Sequence, residues 1–114
     1  DKRGRAAQYA QLATFLARHS RRHAVIVAGD TNLKTVDQDD SATLRVFLHR
    51  TRLADACRRI GCADERIDRV LYRGSVRLSL EPTEWRLDGR FVDDHGTPLS
   101  DHSAVAVRMK WRSR

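Results

Sequence analysis

Ala24-Val25-Ile26-Val27-Ala28-Gly29-Asp30-Thr31-Asn32 is the stretch on which the fold turns. An unbroken apolar run with three β-branched residues, ending at glycine, predicts a strand buried on both faces. The polar cluster that follows has two readings. Gly, Asp and Asn are ordinary turn formers, because glycine reaches backbone angles closed to other residues and Asx side chains bond their own backbone. The same residues can also present a carboxylate and an amide at a strand end.

On the N-terminal side, Tyr9, Leu12, Ala13 and Leu16 recur at i, i+3, i+4 and i+7, so Ala6 to His19 reads as an amphipathic helix covering another element. On the C-terminal side, a polar loop from Thr31 to Asp40 leads to Ser41, a plausible N-cap for a second helix with Leu44, Phe47 and Leu48 on one face. The crowded Asp37, Asp39 and Asp40 read as a solvated turn. A short helical piece is expected from Leu53 to Ile60, stopping at Gly61.

Strand character returns at Ile67 to Tyr72 and at Val76 to Leu80, where Pro82 either ends the strand or places it at an edge. Residues 84–99 read as loop with at most one short strand. From Ala104 to Trp111, Val105, Val107, Met109 and Trp111 alternate against Ala104, Ala106, Arg108 and Lys110, as in a strand with one buried face. No repeat, low-complexity tract or linker divides the chain. The expected architecture is a layered α/β sandwich in a single unit, residues 1–114.

The 114 residues are 40% apolar, enough for a packed core, and no run approaches the roughly 20 apolar residues of a membrane span. No signal peptide is legible in this chain, and the compartment stays open. A net charge of +7 favours polyanionic partners such as nucleic acid or an anionic lipid surface, although arginines spread along the whole chain read equally as a solvated basic surface. Cys57 and Cys62 are too few for a Cys-based zinc site and read as two buried free thiols, with a local disulfide possible if the protein is exported. His19, His23, His49 and His95 show no metal-like spacing and read as surface or loop residues. Alternation favours ordinary packing for Trp111.

Three polar clusters stand at strand ends: Asp30 with Asn32, Asp68, and Ser100-Asp101-His102-Ser103. Carboxylates, an amide and an imidazole converging on one sheet edge make a set suited to phosphoryl chemistry, in which charge develops on phosphate oxygens and must be met by donors and cations. Each piece alone has a plainer meaning: a turn, a surface carboxylate paired with Arg66 or Arg69, a loop capping the last strand.

Taken together the motifs are specific. Val25 to Asn32 resembles a strand running into a GDxN motif, Arg66-Ile67-Asp68-Arg69-Val70-Leu71 an IDxV strand, and Leu99 to Val105 a terminal SDHxxV motif. In order and spacing they resemble the deoxyribonuclease I-like group of the endonuclease/exonuclease/phosphatase superfamily. The resemblance implies a Mg2+-dependent phosphoester hydrolase, with Mn2+ or another divalent cation as possible substitutes. Its substrate would be nucleic acid first, and otherwise a phospholipid such as sphingomyelin or a sugar or inositol phosphate. It implies that Asp30 activates the attacking water, Asn32 donates to the scissile phosphate, and His102 contacts the same phosphate. Asp68 would orient His102, and Asp101 with Asp30 would lie at the metal. It further implies that this chain is the C-terminal half of one domain, whose other half supplies a metal-ligating Glu. A rival expectation is an inactive piece that binds a polyanion or a partner subunit.

Overall fold

The computed structural model describes residues 1–62 and 66–114. Helix α1 spans Lys2–His19, four residues earlier than the apolar stripe alone predicts, because the Asp1 carboxylate accepts from the Gly4 N–H and so caps the helix. Strand β1, Val25–Asp30, leads to helix α2, Gln38–Thr51. The N-cap of α2 is Asp37 rather than Ser41. Its carboxylate accepts from the Asp39 and Asp40 N–H groups, which leaves Ser41 already inside the first turn. The expected solvated turn is thus a helix start in which Asp40 is buried, held by Arg5 and by the Lys34 N–H.

Strand β2, Ala54–Asp55, is followed at once by the single-turn helix α3, Ala56–Ile60, which closes on Gly61 in the left-handed conformation. Cys57 and Cys62 across that turn form a disulfide, not two free thiols: the helix end brings their Cα atoms to 5.1 Å, within bridging range.

Strand β3, Asp68–Arg73, lies between β1 and β2, antiparallel to both. The expected double burial of β1 is therefore wrong. Val25 and Val27 face α1 and α2, while Ile26 on the other face is 54% exposed. An antiparallel edge strand needs only one covered side, and the apolar run hid that alternation. The core lies between the sheet and the helix pair, built from Leu16, Phe47, Leu53 and Leu71, with the Tyr9 ring set edge-on against Phe47.

Strands β4, Leu78–Asp88, and β5, Ala104–Ser113, form a separate antiparallel ribbon that leans on α3 and β3. Pro82 does not end β4. In a two-stranded ribbon each strand has a free edge, where a missing N–H breaks no ladder bond, and the register shift between Pro82 and Glu84 absorbs the local misfit. Residues 84–88, expected to be loop, thus belong to the strand. Trp111, expected to pack, is 68% exposed, because among the described residues no layer covers its side of the ribbon.

One buried cation ties the parts together. Arg69 on β3, 4% exposed, pairs through Nε with Asp55 at 3.3 Å and donates from Nη1 to Thr31 Oγ1 and the Leu33 carbonyl. Removing one partner of a buried pair strands the other charge in a dry environment, at about 3–5 kcal/mol. Arg69→Met is expected to lower unfolding stability by that amount in chemical denaturation. Phe47→Ala should cost a similar 3–5 kcal/mol through the cavity it leaves, whereas Val76→Ser, at a position 90% exposed between β3 and β4, should stay within about 0.5 kcal/mol.

Candidate active site

The C-terminal end of β1 is fixed before any chemistry is considered. Gly29 has φ +151°, a backbone conformation that L side chains rarely adopt. Thr31 is then held from several directions: its N–H and hydroxyl both donate to the Ile67 carbonyl, and its own carbonyl accepts from Tyr9 Oη at 2.7 Å. Asp30 sits between these anchors, its Oδ1 accepting from the Asn32 N–H at 2.9 Å, with Asn32 itself in the left-handed region at φ 55°.

Antiparallel register sets Asp30 directly opposite Asp68 on β3. Two carboxylates facing each other across a ladder repel, so the pair favours a cation or a proton donor between them. His102, delivered by the loop before β5, occupies that place. Its Nδ1 lies 2.7 Å from Asp68 Oδ2 and its Nε2 3.8 Å from Asp30 Oδ2. Ligating atoms of Asp30, Asp68 and His102 all fall within 4.8 Å of one another. The Asp68 hydrogen bond and charge, with smaller contributions from Asp101 and Asp30, hold the His102 pKa above its ordinary value.

The structure thus gathers three of the five residues singled out in the sequence. Asp101 lines the same cleft and lends charge, but stands outside the close group. Asn32 is exposed, beside Asp30 and outside the lining of the cleft that holds His102. Asp68 is not paired with Arg69, which turns to the other face of β3 to meet Asp55. Two residues that position the site carried no signal beyond their types: Tyr9, which read as one member of an apolar stripe, and Thr31, the variable position of its motif. The other four histidines are exposed, as expected.

The cleft holding Asp30, Asp68 and His102 encloses about 720 Å³. One wall is apolar and open to solvent: Leu87, Phe91 and Leu99 are 44%, 57% and 66% exposed. Chemically, the arrangement offers a carboxylate able to orient a water, and an imidazole whose far nitrogen is held by a second carboxylate. That second contact fixes the tautomer and stabilises the imidazolium.

No protein-family model matches the chain. It is 29% identical to the sphingomyelinase of Mycobacterium bovis and to those of two strains of Mycobacterium tuberculosis, over 117 aligned positions. That alignment covers 89% of this chain and 24% of theirs, so the chain spans about a quarter of the length of these relatives. Its fold is similar to the crystal structure of humanized D. rerio TDP2 carrying 14 mutations, with a TM-score of 0.67 and 21% identity, over 96% of this chain and 46% of that one. Among the described residues no helix is long and apolar enough to cross a membrane.

Asp68→Asn should move the His102 pKa down towards the ordinary imidazole value of about 6.5, as read by NMR titration of the ring. The folded pKa lies above the unfolded one. The pair's stabilisation is therefore complete below the ordinary value and is lost as pH rises through the raised one. An unmoved titration in the variant would show that Asp68 does not govern this ring.

Proposed function

We propose, from the premise that this chain is a member of the endonuclease/exonuclease/phosphatase superfamily with its deoxyribonuclease I-like fold, that it supplies the C-terminal half of a metal-dependent phosphodiesterase site. The observation that carries the reading is the His102 ring set between Asp68 at 2.7 Å and Asp30 at 3.8 Å. In this reading Asp30 orients the attacking water and accepts its proton. His102, whose protonated form Asp68 favours, meets the negative charge that develops on the phosphate oxygens. Asn32 donates its amide to the scissile phosphate. Asp68 is a positioning residue that acts through the ring.

The donor set suits a hard divalent cation. Asp30 and Asp68 are like charges facing each other across the ladder, and Asp101 adds a further carboxylate on the same cleft. Asp30 and Asp101 are the residues of this chain that would hold Mg2+, because Asp68 is already engaged by His102. The ion, when bound, would neutralise phosphate charge and acidify water.

For the substrate, the chain's net charge of +7 supports nucleic acid. A second reading, a phospholipid diester, is favoured by the exposed apolar wall at Leu87, Phe91 and Leu99 beside the site, and by the likeness to sphingomyelinases.

In the full-length protein, His102→Ala and Asp30→Ala should each lower kcat on a phosphodiester by on the order of a hundredfold or more. Unchanged hydrolysis in both would end the proposal. Phe91→Ser with Leu99→Ser separates the substrates. Selective loss on phospholipid vesicles, with a soluble diester still cleaved, supports the lipid reading. A steep fall of oligonucleotide binding with salt supports the other.

A further inference from the structure

At the end of the first sheet opposite the site lies a larger cleft, of about 1170 Å³, where the α1–β1 turn, the end of α2 and the β3–β4 turn meet. The six-residue span of β1 sets it roughly 17 Å from Asp30 at about 3.3 Å per residue. Six arginines line it: Arg21, Arg22, Arg52, Arg73, Arg77 and Arg114. Among the described residues no Asp or Glu does.

Arg73 is accounted for by the fold. Its guanidinium donates to the carbonyls of Ser20, His23 and Thr51, tying the C-terminal ends of both helices to β3. The other five have no such employment: all are exposed, and none forms a salt bridge to a described carboxylate. Like charges gathered in one concavity repel, and an anion entering it would relieve that repulsion.

Arg52 adds an independent observation. It caps α2 at φ 59°, in the left-handed region where glycine is at ease, as Gly61 is at the end of α3. An arginine there carries a local backbone cost that glycine would avoid, and its side chain lines the cleft.

We propose that this cleft is a second phosphate-recognition site, separate from the catalytic one, that takes an anion bearing two or more phosphate groups. Guanidinium forks match phosphate oxygens two at a time, and a multiply charged anion can engage several of them together. The concavity suits a compact anion better than the flat surface of a bilayer. The inference stands whether or not the proposed hydrolase reading holds.

Isothermal titration calorimetry of the full chain with inorganic tripolyphosphate, in low salt without divalent metal, should show one saturable site. R21Q/R22Q/R77Q should weaken it by roughly tenfold or more, while R3Q/R18Q/R45Q, which removes the same charge from exposed positions on the helices, should change it by no more than about twofold. R52G should weaken binding several-fold yet leave the melting temperature equal or higher, an outcome that a purely structural arginine would not give. Equal losses in the cleft and control triples would overturn the proposal, and so would loss of binding on His102→Ala instead. Two further arms use phosphatidylglycerol vesicles and a single-stranded oligonucleotide. Arginine-dependent binding of either one without tripolyphosphate binding would replace the proposed ligand with a membrane or a nucleic acid.

Discussion

The placement of the site depends on a buried charge that takes no part in its chemistry. Arg69 bonds Asp55 at the start of α3 and, in the loop after β1, Thr31 and the carbonyl of Leu33, so two segments distant in sequence are tied to β3 by one guanidinium. Its planar fork lets one side chain satisfy several acceptors in fixed directions, which a lysine could not do. Asp68, one residue earlier on β3, points to the opposite face because strand side chains alternate. The same strand therefore anchors the fold with one residue and offers a carboxylate with its neighbour.

How much of this was legible in the sequence follows from the range of the forces involved. Local periodicity located α1, α2, β3 and β5 to within a few residues, because burying one stripe or one face leaves a direct trace in residue order. The three motifs marked Asp30, Asp68 and His102, and the fold brings them together through strand register. What stayed hidden was set by partners far along the chain. The N-cap passed from Ser41 to Asp37 because the latter's carboxylate reaches two free N–H groups, and Lys2 holds that carboxylate from 35 residues away. β1 looked doubly buried because a run of apolar residues does not say which layer is present. Trp111 illustrates the same point: alternation names a face, but only the neighbouring layer decides whether that face is covered.

The arginines show a further limit of composition. Spread along the sequence, they read as a uniformly basic surface. In the fold they divide into a buried tie at Arg69, a clamp on two helix ends at Arg73, and an unneutralised group at the mouth of one cleft. Net charge is the same in each case; the dielectric surroundings and the available acceptors give each arginine a different role.

The contact between His102 and Asp68 also has a mechanical meaning. Asp68 belongs to the three-stranded sheet, and His102 to the loop that leads into the two-stranded ribbon, whose other footing is on α3 and β3. The imidazole is thus a tether between two separately hydrogen-bonded bodies. Its protonation state bears on how firmly the ribbon is held as well as on what the ring can donate. A substitution at His102 removes a side-chain link between sheet and ribbon along with an acid.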